Sequence, residues 1–246
     1  MNAYRYDLHI HSCLSPCGDD DMTPASIAGV GALVGLQIMA LTDHNTCKNC
    51  PAFFKAAKRY GIVPVAGMEL TTAEDIHVLC LLPSLEAALD FDREIDKRRM
   101  KVPLNEKIFG RQLIMDENDN VIGTEPDYLL PATDVPIDDV PALVSRFGGV
   151  SYPAHVDRES NGVIAVLGAF PDNPGFLNAE FYDASKKDAY LLSYPALRTR
   201  RVLVSSDAHN LWSIRDENDS LTLDDEPYSS DRVREALFRV LKGETR

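Results

Sequence analysis

The 246-residue chain is missing the features that would send it to a membrane or a polyanion. No apolar run approaches the length of a bilayer-spanning helix. The opening stretch, Met1-Asn2-Ala3-Tyr4-Arg5-Tyr6-Asp7, has no signal-peptide core. A soluble cytoplasmic protein is therefore expected. Basic residues are in short supply: 25 Lys and Arg stand against 38 Asp and Glu, a formal net charge of −13. That balance argues against a nucleic-acid surface unless basic residues cluster. Divalent cations, if bound, would offset several of the carboxylates locally. Internal repeats and low-complexity tracts are absent, which excludes solenoid architectures. Hydrophobic residues make up 45% of the chain, enough for a substantial core, so metal is not needed merely to hold the fold together. Nothing in the sequence speaks to oligomeric state.

Histidine is also scarce, and its placement is informative. There are six, and each lies in or just past a predicted buried strand. His9 and His11 alternate with Leu8 and Ile10 in Asp7-Leu8-His9-Ile10-His11-Ser12, a strand pattern that points both imidazoles to one face. His44 ends the run Ile38–Asp43, and His77 opens Ile76–Leu82. His155 follows Gly149–Ala154, and His209 follows Arg201–Ala208. Asp7, Asp43, Asp75, Asp157 and Asp207 accompany them. One such histidine is usually a hydrogen-bonded core residue. Six of six point instead to a polynuclear metal site.

Short apolar strands alternate with helical segments, which predicts an α/β protein with a mostly parallel sheet. Thr23 caps a helix that has Pro24 at its first position and Gly35 past its end. A second helix runs from near Pro51 to Gly61, and strand Ile62–Ala66 delivers Gly67-Met68-Glu69. A third helix starts at Ser84 and carries the charged stretch Asp90–Arg99. Residues 101–139 break the rhythm. There, Leu113–Met115 and Val121–Gly123 flank a polar turn and read as a hairpin, an insertion expected to cover one side of the site. A helix over Val140–Phe147 follows, then strands at Val150–Tyr152, Ala179–Tyr182 and Val202–Ser205. A final helix is expected to be capped by Ser230 and to end at Gly243. In such folds chemistry collects at the carboxyl ends of parallel strands, where His44, Glu69, His155, Asp207 and His209 all fall.

These motifs, His9-Ile10-His11-Ser12, Leu41-Thr42-Asp43-His44-Asn45, Gly67-Met68-Glu69, Asp75-Ile76-His77-Val78-Leu79, Pro153-Ala154-His155 and Ser206-Asp207-Ala208-His209, resemble in order those of the PHP (polymerase and histidinol phosphatase) family. The resemblance implies one barrel domain over residues 1–246, a distorted (β/α)7 TIM-like barrel with an insertion at 101–139. It also implies three divalent ions at the strand ends. His9, His11, Glu69 and Asp207 would hold the first, and Glu69 would bridge to a second completed by His77 and His155. His44 and His209 would hold the third with one ligand from the loop after the first strand. Counting back from Thr23-Pro24 selects Asp19, with Asp20 next; counting forward from His11 lands on Pro16 or Cys17. The mixed imidazole and carboxylate set suits Zn²⁺, Mn²⁺ or Fe²⁺.

The implied activity is metal-dependent hydrolysis of a phosphoester by a metal-activated hydroxide, with no covalent enzyme intermediate. A small phosphomonoester such as a nucleotide or a histidinol phosphate is the leading substrate. Exonuclease action on short oligonucleotides and a non-catalytic metal-binding module are the alternatives. Two candidate catalytic residues stand beside the ligands. Asp43 would orient a neighbouring ligand, and Arg158, three residues beyond His155, would touch the phosphate. Its competing reading is an exposed loop arginine; Lys48 and Arg198 to Arg201 are further cations to weigh. Finally, Cys13 and Cys17 follow the first strand while Cys47 and Cys50 follow the second, a spacing compatible with an additional structural zinc site. A redox pair at Cys47 and Cys50, or simple burial as small hydrophobes, would use the same residues differently.

Overall fold

The computed structural model describes residues 1–215, 220–226 and 228–244. Its strands are β1 (Asn2–Asp7), β2 (Ile38–Leu41), β3 (Val63–Thr71), β4 (His77–Leu82), β5 (Leu113–Met115), β6 (Val121–Thr124), β7 (Val150–Pro153), β8 (Asn178–Phe181), β9 (Arg201–Val204) and β10 (Ser220–Leu223). The helices are α1 (Pro24–Leu33), α2 (Cys50–Arg59), α3 (Leu85–Asp96), α4 (Glu106–Phe109), α5 (Val140–Ser145), α6 (Val163–Leu167), α7 (Lys187–Ser193) and α8 (Ser230–Leu241).

Six strands form a curled half-barrel sheet in the order β10-β1-β2-β3-β4-β7, and β8 pairs with β9 alone. The closed (β/α)7 barrel expected from the sequence is not what the strand ladders make. Backbone hydrogen bonds tie the β8–β9 pair to the stretches after β7 and after β1, with side-chain bonds such as His155 N–H to Glu180 Oε1 and Leu8 N–H to Ser205 Oγ beside them. Val156 N–H donates to Glu180 O on one side at 2.8 Å, and His11 N–H donates to Ala208 O on the other at 2.9 Å. The sheet is also less parallel than expected. β1–β2 and β2–β3 are parallel, but β3–β4, β4–β7 and β1–β10 are antiparallel. The cause is local. Only five residues separate β3 from β4, too few for the crossover a parallel pair requires.

Strand alternation divides the interior in two. Met39, Leu41, Ala66, Met68 and Leu70 pack outward against α1, α2 and α3. Ile38, Ala40, Val63, Val65, Leu79 and Leu81 face inward with Tyr4, Tyr6 and Tyr152, and α8 covers that core with Val233, Leu237 and Leu241. By the same parity Gly67, Glu69 and Thr71 lie on the inner face. A Cβ at Gly67 would stand 2.7 Å from Cys80 O, so only glycine allows β3 and β4 to approach there.

Most predicted boundaries are realised. Thr23 Oγ accepts from Ser26 N–H at the start of α1, Ser84 Oγ accepts from Ala87 N–H at the start of α3, and the hairpin β5–β6 forms. The last helix is capped one residue earlier than expected, with Ser229 accepting from Arg232 N–H. The first strand ends at Asp7, so His9 and His11 lie just beyond it.

Candidate metal centre

The ladder registers bring the scattered histidines together. β1, β2 and β3 are parallel and present His9, His11, His44 and Glu69 at or beyond one rim, with His44 bridged to Glu69. β4 runs the opposite way, so its first residue, His77, pairs with Thr71 at that same rim. β7 reverses again and delivers His155 from its carboxyl end. Both His155 (φ 28°) and Asp207 (φ 48°) sit in the left-handed region that side chains with a Cβ seldom adopt, so local strain aims these two donors.

Glu69 is the hub. Its Oε1 lies 2.9 Å from His77 Nδ1 and 2.9 Å from His155 Nε2; its Oε2 lies 3.1 Å from both His11 Nε2 and His44 Nδ1. Asp207 Oδ1 is 3.2 Å from the Nε2 atoms of His9 and His11, and those two nitrogens are 3.1 Å apart. Among the described residues three groups of donor atoms emerge: His9, His11, Glu69 and Asp207; His44, Glu69 and His77; and His11, Cys17, His44 and His209.

Outer partners fix several rings. Ser15 Oγ donates to Asp43 Oδ1 at 2.7 Å, so its single proton is used. The 2.9 Å contact to His11 must then come from an Nδ1–H of the imidazole, which leaves the Nε2 lone pair for the site. Glu180 Oε1 accepts from His9 Nδ1–H at 2.7 Å, and Asp207 O accepts from His209 Nδ1–H at 2.7 Å, with the same result. Asp43 is fully enclosed. It also accepts from Ser12 N–H and Ser12 Oγ–H at 2.7 Å each, so it ties down the loop that follows His11.

The charge pattern suits cations. Burial alone would lower His9, yet Glu180, Asp207 and Glu69 outweigh it and lift the imidazole well above the ordinary histidine range. His11 is pushed up to about 9 because Asp207 and Glu69 overcome the same burial. The carboxylates therefore favour positive charge here, whether it arrives as a proton or as a metal ion. His44 is held low by burial and by its imidazole neighbours, and burial with His11 takes His209 down to about 4, so both are neutral and ready to ligate. Burial raises Glu69, but His77 and His9, with a hydrogen bond from His11, reverse this and keep it ionised. Asp207 Oδ1 and His44 Nδ1 are buried without a hydrogen bond. Converging, unsatisfied N and O donors of this kind fit divalent ions.

Known proteins share the segment that carries most of this cluster. A family model for the PHP domain matches residues 7–170, well over half of the chain. The chain belongs to the PHP domain family. Asp207 and His209 lie beyond the matched segment, and the fold brings them back to it. An uncharacterized protein, MJ1587, of Methanocaldococcus jannaschii is 32% identical over 102 residues, covering 38% of this chain and 60% of the archaeal protein. The lesion-specific endonuclease EndoQ of Pyrococcus furiosus superposes with a TM-score of 0.71 at 17% identity, over 99% of this chain and 57% of that one. A Bifidobacterium adolescentis protein classed as a metal-dependent phosphoesterase gives 0.59 at 19% identity, over 95% and 96%. The match thus spans less than two thirds of the archaeal relative and of the endonuclease. At these identities the structural likenesses speak for fold.

Two expectations change. Asp19 is exposed and bonds to His209 O through its backbone N–H at 2.9 Å. Cys17 Sγ, not the Asp19 carboxylate, joins the His44 and His209 group. The four cysteines do not assemble. Cys13 packs on Leu113 and Met115, Cys47 and Cys50 both point their thiols at Gly67 O, and all are free. Among the described residues, no metal-capable group holds more than one of them. Arg158 reaches the centre's edge, with Nη1 2.7 Å from Asp207 Oδ2, while Lys48 pairs with Glu125 just after β6 and Arg198 binds Leu191 O. Glu180 was not singled out from sequence. Its signal was a carboxylate on β8 between the apolar Ala179 and Phe181.

Proposed function

We propose that this chain hydrolyses a phosphoester at a divalent metal centre of up to three ions, with a small phosphomonoester as the favoured substrate class. The observation that carries the reading is Glu69, one buried carboxylate within 3.4 Å of five imidazoles, with Arg158 beside Asp207 at the rim. His9, His11, Glu69 and Asp207 would hold one ion, Glu69 with His77 and His155 a second, and His44 with His209 a third. Divalent ions in such a site supply Lewis acidity and make water nucleophilic near neutral pH. Zn²⁺, Mn²⁺ and Fe²⁺ all suit the donor set.

The chain's own groups do the rest. Arg158, about one third exposed, offers a guanidinium to a phosphoryl oxygen from the open side of the centre. Asp207 restrains it, and the Tyr182 ring lies 4.1 Å from its Cζ. His44, Glu69, His77, His155, Arg158, Ser160, Asn161, Asp207 and His209 surround a cavity of about 60 Å³. Sites that enclose a whole ligand run to roughly 300 Å³ or more, so a phosphoryl group enters while the remainder of the substrate rests on the rim.

A second reading has an observation of its own. Arg215 also stacks on Tyr182, 5.1 Å from Cζ to ring centroid, giving an Arg–Tyr–Arg platform suited to a nucleotide. Short oligonucleotides trimmed from an end would use it. Phosphate release from a panel of phosphomonoesters and short oligonucleotides, with added Mn²⁺ or Zn²⁺ and His9→Ala alongside, separates the two. Metal-dependent release from a monoester, lost in His9→Ala, supports the leading reading. Silence on monoesters with shortening of oligonucleotides replaces it with the second. Silence on both removes hydrolysis and leaves a metal-binding module.

A further inference from the structure

The loop between His11 and α1 folds back on itself so that one side chain meets the imidazoles. Ser15 N–H donates to Ser12 O, Gly18 N–H to Ser15 O, Met22 N–H to Asp19 O and Cys13 N–H to Met22 O, at 2.8–3.0 Å. Asp19 N–H then pins the loop to His209 O. A Cβ at Gly18 would stand 2.4 Å from Ser12 O, so the residue after Cys17 must be glycine for this path to close. The result places Cys17 Sγ within 4.8 Å of ligand nitrogens on His11, His44 and His209.

His11 is claimed elsewhere. Its Nδ1 is bound to Ser15, and its Nε2 faces Glu69 and Asp207 at 3.1 and 3.2 Å. An imidazole with one free nitrogen serves one ion, so the position beside His44 and His209 needs another anionic donor. The Asp19 carboxylate is not among the donor atoms that gather there, and Asp20 is engaged with Arg111 at 2.7 Å. Cys17 remains.

We propose that Cys17 ligates, as a thiolate, the ion held by His44 and His209, and that this position therefore takes a thiophilic ion such as Zn²⁺ or Fe²⁺ in preference to Mn²⁺. A sulfur donor with two imidazoles is a soft set, whereas the carboxylate-rich positions around Glu69 and Asp207 are harder. The three positions of one centre would then differ in metal preference. The inference rests on the site being a metal centre, but its test reads metal and sulfur, not hydrolysis.

Full-length protein is loaded with Co²⁺, and its near-ultraviolet absorption and metal content are measured for wild type, Cys17→Ser, Cys17→Asp and Asp19→Asn. The expected result is a thiolate-to-cobalt charge-transfer band in wild type and Asp19→Asn that is absent from both Cys17 variants. Cys17→Ser should lose roughly one ion per chain, and Cys17→Asp should regain it and accept Mn²⁺ there. Circular dichroism confirms that each variant is folded. A band that persists without Cys17 overturns the proposal, as does an ion lost in Asp19→Asn but kept in Cys17→Ser. Absence of any metal from wild type would instead sink the reading of the centre itself.

Discussion

The centre has two walls of different construction. The inner wall, His9, Glu69, His77 and His155, is built on strand ends; His9, Glu69 and His155 are buried, His77 is partly so, and the side chains are bound to one another or to Glu180. The outer wall, Cys17, Arg158 and His209, is built on loops and opens to solvent. The first is positioned by ladder register, the second by backbone turns and by the Asp43–Ser12–Ser15 network. Precision at the inner wall is a property of the sheet. At the outer wall it depends on a few hydrogen bonds, and there the chain has room to choose its ligand and its substrate.

Breaking the inner wall should have the largest effect. Glu69→Gln removes the charge shared by five imidazoles; hydrolysis is expected to fall by at least about 10³-fold, beyond the 10–100-fold typical of outer partners, with metal content falling in parallel. Glu180→Gln tests the inner wall one step out. His9 keeps its place but its Nδ1–H then faces a neutral amide in place of a carboxylate, and metal affinity should drop by roughly 10–100-fold. An unchanged titration would show that β8 holds His9 by packing alone.

The outer wall should respond more gently. Asp43→Asn leaves every proposed ligand in place but weakens the hold on Ser12 and Ser15; a loss of about tenfold in hydrolysis is expected, at the lower edge for such partners. Arg158→Ala should raise KM more than it lowers kcat, by roughly tenfold, with Arg158→Lys recovering part of it. An equal fall in kcat would mean the guanidinium acts on the reacting phosphoryl group and not on binding alone.

The smallest effect expected is one of stability. Burial raises Asp7 to about 6, so the folded chain retains a proton that the unfolded chain gives up near pH 4. The folded state binds the proton more tightly, and the stability this contributes is lost as pH rises from about 4 through 6. Asp7→Asn should therefore stabilise the chain above pH 7 by no more than about 3 kcal/mol, with the advantage shrinking toward pH 4 in thermal unfolding.

The division between walls also marks what could be read from the sequence. Six histidines and their order picked out nearly all the donors that the fold gathers, because an imidazole buried in an apolar strand is costly unless a partner takes up its ring nitrogens. The helix caps Thr23 and Ser84 were equally plain, since capping is a local matter of one side chain and one N–H. Strand direction was not plain. His77 opens its strand while His44 follows one, and only the antiparallel β4 reconciles them. The loop donor stayed open between Asp19 by one count and Pro16 or Cys17 by the other, because counting along thirteen residues cannot show which way a chain folds back. Cys13, Cys17, Cys47 and Cys50 had the spacing of a zinc site, yet packing sent Cys13 to Leu113 and Met115 of β5 and Cys47 and Cys50 to Gly67.

The six-pair ladder from Ala66↔Leu82 to Thr71↔His77 makes the centre an inspector of the fold. A slip of one residue turns His77 toward the helices and puts Val78 in its place. A slip of two carries the imidazole about 6.6 Å along the strand, out of reach of Glu69. Only a chain whose strands have closed in the native alignment can gather all the donors. A ligand that requires them together therefore selects that alignment by mass action and depletes the misaligned forms.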